Sequence, residues 1–155
     1  MVHHTYVGLG PPDAAVREFD ALKPWVLDLM GLRAECTPLG ADDSAICIAL
    51  DGLRTAAYHF TRRADFYFEL EAPPRRPHGN RRLSDRTEAI AAFKALTPYS
   101  DRLRQMRLRC RPFGRDYLAL DIAHQGLETA AFHFTHEAAF YGAQSDSSGP
   151  IRPAF

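Results

Sequence analysis

The sequence predicts an α+β fold made by tandem duplication of one unit, a helical stretch followed by a three-stranded antiparallel meander, with the two copies related by a pseudo-two-fold. Three observations carry this reading. Residues 13–67 recur without a gap 74 positions later as residues 87–141, with about 25 identities over 55 positions. Each copy opens with apolar residues at i, i+4, i+7, namely Ala15, Phe19 and Leu22, then Ala89, Phe93 and Leu96, which share one face of a helix. Each copy then breaks into short runs punctuated by glycine, as half-buried strands do.

In chain order, Thr5 to Leu9 is a candidate first strand, whose counterpart from Gly79 to Leu83 is spoiled by Asn80, Arg81 and Arg82. The helical stretches follow and are interrupted by Pro24 and Pro98. Thr97-Pro98 reads as an N-cap followed by proline at the first helical position, so two short helices or one kinked helix is expected in each copy. Trp25 and Leu29, like Tyr99 and Leu103, continue the apolar face. Leu32 to Pro38 and Met106 to Pro112 are read as strands, the second alternating Leu108 and Cys110 with Arg107, Arg109 and Arg111, and Gly40 and Gly114 end them. Ala45 to Leu50 and Leu118 to Ala123 come next. Asp51-Gly52 and Gln125-Gly126 are read as tight turns leading into the strands Arg54 to Thr61 and Glu128 to Thr135. Phe66 to Leu70 extends the first meander, an extension that Gly142 weakens in the second. The whole is one domain of two repeats, 1–71 and 85–142, with a proline- and arginine-rich linker at 72–84 and a loose, flexible tail at 143–155.

The composition is that of an ordinary globular chain, 46% hydrophobic and 25% charged, and no apolar run approaches the roughly 18 to 20 residues a membrane span needs. The opening Met1-Val2-His3-His4-Thr5 lacks the basic and apolar regions of a secretory signal, so a cytoplasmic location is expected. Cys36, Cys47 and Cys110 are an odd count without CxxC spacing, which argues against a disulfide framework and a zinc knuckle. The net charge of zero conceals a segregation: residues 1–74 hold 6 basic and 11 acidic residues, 75–115 hold 12 and 3, and 116–155 hold 1 and 5. That asymmetry either attracts an anionic partner or is compensated between the repeats.

With Thr5 to Leu9 counted, the first half reads strand, helix, strand, strand, strand, and His3-His4-Thr5-Tyr6-Val7-Gly8-Leu9 looks like an opening strand with a histidine near its start. Two such βαβββ modules resemble the vicinal oxygen chelate superfamily of glyoxalases, ring-cleaving dioxygenases and bleomycin-resistance proteins. The resemblance implies metal ligands on the first and last strands of each module. Residue by residue it carries over only to His4 and Glu69, the second module offering no first-strand histidine except His78 in the linker.

Among individual residues, His59 and His133 occupy equivalent positions, and a pseudo-two-fold could bring them toward one cavity as ligand-binding groups. The alternative is that each is a strand histidine on the face of Ala57 and Thr61, or of Ala131 and Thr135. Tyr67 and Tyr141 line a pocket or pack the core. Tyr58, Phe60, Phe132 and Phe134 are read as core. Arg107, Arg109 and Arg111 share a strand face suited to an anion or an acidic partner, or are a solvated basic face. GxSxG, HExxH, Walker and GxGxxG motifs are absent, as are helix-turn-helix, RNP and zinc-finger signatures.

These residues point first to a non-catalytic binding protein, sequestering a small ligand or docking a protein partner in the manner of an immunity protein, through a cleft or face between the repeats. A metal-dependent enzyme of the vicinal oxygen chelate type is the second reading, and nucleic-acid or anionic-partner binding through the arginine face the third. No cofactor or metal site and no membrane partner are expected, and an oligomer is compatible with the sequence.

Overall fold

The computed structural model describes residues 6–75 and 81–142, except for the side chains of Arg81 and Arg82. Among the described residues there are six α-helices and one 3-10 turn, but no strand. The first repeat is α1 (Pro12–Asp20), α2 (Lys23–Ala34) and α3 (Ala41–Thr61); the second is α4 (Arg86–Lys94), α5 (Thr97–Leu108) and α6 (Arg115–Thr135), preceded by the 3-10 turn Arg81–Ser84. The α+β class, the antiparallel meander and the resemblance to the vicinal oxygen chelate superfamily are therefore corrected: the fold is all-α. Of the carried-over ligands, Glu69 is exposed in the turn region after α3, while His4 and His78 lie outside the described residues. So do residues 76–80 of the linker and the whole of the tail.

The error has a physical cause. The runs read as two strands on either side of Asp51-Gly52 are one 21-residue helix, and those around Gln125-Gly126 another. Buried positions on α3 are Ala45, Ile46, Ala49, Leu50, Leu53, Ala56, Ala57 and Phe60, the one-three-four spacing of a helix rather than the alternation of a strand. Tyr58 and Phe132, expected in the core, are about half exposed at 53% and 49%, whereas Phe60 and Phe134 are buried. Gly52 and Gly126 are not turns. Each allows the two long helices to touch: a Cβ on Gly52 would lie 2.8 Å from the Ile122 carbonyl oxygen, and one on Gly126 would lie 2.7 Å from that of Ile48.

α3 and α6 pack antiparallel along their whole length. His59 meets Asp116 at one end, Gly52 meets Ile122 and Ala123 in the middle, and His133 meets Asp42 at the other end. Each of these contacts has its mate 74 residues on, so a pseudo-dyad crosses the pair near its midpoint. On the dyad Trp25 stacks on Tyr99, its own repeat counterpart, with centroids 6.1 Å apart and planes 17° from parallel. Residues at the same repeat position can touch only near the axis that relates them.

The short helices cover one side of the long pair, α1 and α2 on α3, and α4 and α5 on α6. Phe19 packs on Phe60 and Phe93 on Phe134, at 5.7 and 5.5 Å between centroids. Pro24 and Pro98 sit in the first turns of α2 and α5, where the missing N–H costs nothing. The helical stretch is thus split as the prolines suggest, but the residue at the cap of α5 is Leu96, with Thr97 already helical. Gly40 and Gly114 do not end strands. They are extended N-cap residues that start α3 and α6. The long helices end alike: Thr61 and Thr135 donate their hydroxyls to the carbonyls of Ala57 and Ala131, and Arg62 and His136 turn left-handed, at φ 61° and 60°. The chain then folds back. Tyr67 donates its hydroxyl to the Phe19 carbonyl and Tyr141 to that of Phe93, pinning the end of each repeat to its own first helix.

Candidate functional site

The residues singled out from the sequence do not converge. His59 Nε2 lies 2.8 Å from Asp116 Oδ1, and His133 Nε2 lies 2.7 Å from Asp42 Oδ1. These equivalent pairs occupy opposite ends of the α3/α6 pair, some 17 residues and therefore about 25 Å apart. Each pairs the helical His with the acidic first turn of the partner helix. Tyr67 and Tyr141 are buried with their hydroxyls given to backbone carbonyls, and burial raises both phenols above their ordinary pKa. They are packing residues.

Arg107, Arg109 and Arg111 are not a common strand face, because α5 ends at Leu108 and the three fall in the helix, at its cap and in the loop beyond. Arg107 in α5 donates to Asp121 at 2.6 Å and lies over the Tyr117 ring at 5.2 Å. Arg109 caps α5 and donates to Glu18 and to the Gly8 carbonyl. Arg111 is exposed in the loop that follows. Two of the three charges are therefore satisfied inside the fold. No group of three or more His, Cys, Asp or Glu able to hold a metal occurs among the described residues.

A groove the residue-by-residue reading missed lies between the repeats. It is a cavity of about 670 Å³ whose walls are α2, through Leu27, Asp28, Gly31, Leu32 and Glu35, and the end of α4, through Ala92, Ala95 and Leu96. Pro73, Pro74 and Arg75 form a third side. That volume falls within the range of small-molecule sites. Arg75 is anchored there: it donates to the carbonyls of Arg33 and Cys36 and to Asp43 Oδ1. Asp43, 3% exposed, also takes Arg33 at 2.9 Å and the Leu39 N–H at 3.0 Å. Burial alone would raise the Asp43 pKa, but the two guanidinium groups and the N–H outweigh it and hold the carboxyl at about 2. The wall beneath the groove is thus fixed by two partly exposed arginines converging on one buried carboxylate.

The duplication supplies an internal comparison. The equivalent position on the other side of the dyad lies between α5 and the end of α1, and there Glu18 bridges the walls, accepting from Arg109 at 2.8 Å and Arg102 at 3.4 Å. The N–H of Gly8 donates to the Arg109 carbonyl and adds a further cover. In the open groove, the counterpart of Glu18 is Ala92, and the counterparts of Arg102 and Arg109 are Asp28 and Glu35. Shortening one side chain and reversing two charges removes the bridge. The signal was present in the sequence as three aligned positions that change charge between copies, but only the packing makes them neighbours.

The second repeat also carries a buried polar pair where the first is apolar. Ser100 Oγ lies 3.0 Å from His124 Nε2, at positions equivalent to Val26 and Leu50. Burial, then the charges of Arg107 and Arg104, lower the His124 pKa to about 4. Ser100 is fully buried, so the pair is not open to a substrate. Cys36 and Cys110 are buried thiols donating to the carbonyls of Leu32 and Met106, and burial pushes them up to about 12 and about 11. Such groups are inert. No helix among the described residues is long and apolar enough to cross a membrane. Compared with known families, curated proteins and solved structures, the chain finds no match: no family model, no curated protein and no solved structure corresponds to it.

Proposed function

We propose that this protein is a non-catalytic binding protein that holds a small molecule in the groove between α2 and α4. The observation that carries the reading is the asymmetry of the two inter-repeat positions. One is bridged by Glu18 with Arg102 and Arg109, and in the other, where Ala92 stands in place of Glu18, that bridge is absent among the described residues and a groove of mixed apolar and charged lining remains. Apolar side chains left accessible in such a groove give up burial that a bound ligand restores. Leu27, Leu32, Ala92, Ala95 and Leu96 suit a flat or branched hydrocarbon body, and Asp28 on the α2 wall favours a ligand that carries a basic nitrogen. The hydroxyl–imidazole hydrogen bond between Ser100 and His124 is buried, which is why binding is preferred to catalysis. A cytoplasmic setting suits the same reading, because Cys36, Cys47 and Cys110 are all free thiols.

The experiment closes the groove by copying its sister. The triple variant Asp28→Arg, Glu35→Arg, Ala92→Glu places the bridge of the second inter-repeat position into the first. A thermal-shift screen of small cationic, neutral and anionic aromatics is run on both proteins. Binders should raise the Tm of the native chain, by the equivalent of about 2.7 kcal/mol at a hundred times Kd, and leave the triple variant unmoved. Binders that act equally on both proteins, or a library without any, overturn the groove reading. Binders that are mainly anionic overturn only the preference for a basic group.

A further inference from the structure

We infer that the uncovered side of the α3/α6 pair is a dimer interface whose partner is a second copy of this chain, stacked dyad on dyad. Among the described residues, the short helices cover one side of the long pair only. On the other side α3 presents Ser44, Ile48, Asp51, Thr55, Tyr58 and Arg62, and α6 presents the equivalent Leu118, Ile122, Gln125, Thr129, Phe132 and His136, all of them exposed. Their spacing is four, three, four, three, four. That is the seam spacing of helices that pack side by side in a bundle.

Three features favour a second copy over another partner. First, the seam is depleted of charge. Asp51 and Arg62 are its only acidic and basic members apart from His136, in a chain that is 25% charged, and Asp51 already pairs with Arg54 on its own helix at 3.2 Å. Second, Ile48, Ile122, Leu118, Tyr58 and Phe132 are each 46% to 53% exposed, and four of them are two repeat-equivalent pairs about the dyad. A face of this pseudo-symmetry is suited to meet a copy of itself in the isologous contact on which closed dimers are built. Third, the area is sufficient. Two 21-residue helices are about 31 Å long and, side by side, about 20 Å wide, so stacking hides about 600 Å² on each copy. The total of about 1,200 Å² meets the lower bound of a stable specific interface. The groove opens between α2 and α4, so the dimer leaves it accessible.

The test is sedimentation equilibrium of the full chain from about 1 to 100 μM, with Ile48→Glu/Ile122→Glu as the variant. Both side chains are half exposed, so the variant should keep the far-ultraviolet circular dichroism and cooperative melting of the native chain. The native chain should be dimeric at the upper concentrations, and the variant should dissociate at least a hundredfold more readily. A native chain that is monomeric throughout overturns the inference, as does a dimer that the folded variant retains. Should the double variant not fold, Thr55→Lys/Thr129→Lys, on the same seam without loss of apolar contact, gives the same two outcomes.

Discussion

Replacing Gly52 by alanine separates the packing role of this residue from its helix propensity. In an unhindered helix the change stabilises by about 1 kcal/mol. Here the new Cβ would stand 2.8 Å from the Ile122 carbonyl oxygen and 3.3 Å from the Ala123 Cα. Both are backbone atoms of a neighbouring helix and cannot swing aside. An ordinary contact would need the helices to separate by about half an ångström, and overpacking of this kind costs about 1 to 3 kcal/mol. The steric term wins, leaving a net loss of about 1 kcal/mol, with the same expected for Gly126→Ala. The double variant should lose less than the two singles together, because separation forced by one methyl makes room for the other. Gly31→Ala is the control, since nothing lies within 4 Å of a Cβ placed there. It should gain stability. Urea unfolding with the slope checked for constancy is the assay, and for a chain of this length each kcal/mol moves Tm by about 2 to 4 °C. A Gly52→Ala variant that is stabilised as much as Gly31→Ala would refute the close-contact account of the α3/α6 crossing.

The remaining expectations concern buried polar groups. Because the folded His124 pKa is lowered, to about 4, its contribution is complete above the unfolded value near 6.5 and is lost as pH falls from there toward 4, by about 3 kcal/mol at most. The variant Ser100→Val/His124→Leu, which copies Val26 and Leu50 of the first repeat, should remove that slope, and an unchanged pH dependence of urea midpoints would contradict it. Asp43 is also lowered, to about 2, so its contribution is full above the unfolded value near 4 and is lost between about pH 4 and 2. Asp43→Asn should flatten that acid limb and cost about 1 to 3 kcal/mol at neutral pH, a range kept low because Arg33 and Arg75 are each more than a third exposed. Tyr99 is fully buried with its hydroxyl unpartnered among the described residues. Tyr99→Phe should therefore keep the stack on Trp25 and leave Tm unchanged or raise it by a few degrees, whereas a clear loss would show that the hydroxyl has a partner.

The duplication could be read directly from the sequence, and so could the apolar stripe of α1 and α4 and the breaks before Pro24 and Pro98. These depend on residues within a turn or two of each other. The long helices were lost because glycine has two uses. Without the partner helix, Gly52 and Gly126 look like turns, and the residues around them can be divided into two short alternating runs. Counting the paired burials Ala45 with Ile46, Ala49 with Leu50 and Ala56 with Ala57 would have favoured a helix, since a strand cannot bury two neighbours on one face.

The sequence by itself determined that one unit is used twice, and where the copies differ in charge. Only the tertiary structure decided what the differences do. Antiparallel packing of α3 on α6 sends His59 and His133 to opposite ends, so their equivalence does not make a site. The same packing sets α1 against α5 and α2 against α4, so that Glu18 bridges one position while Ala92 leaves the other open. Identity between repeats is a property of each position alone. A bridge or a groove depends on which positions face each other, and long-range packing fixes that.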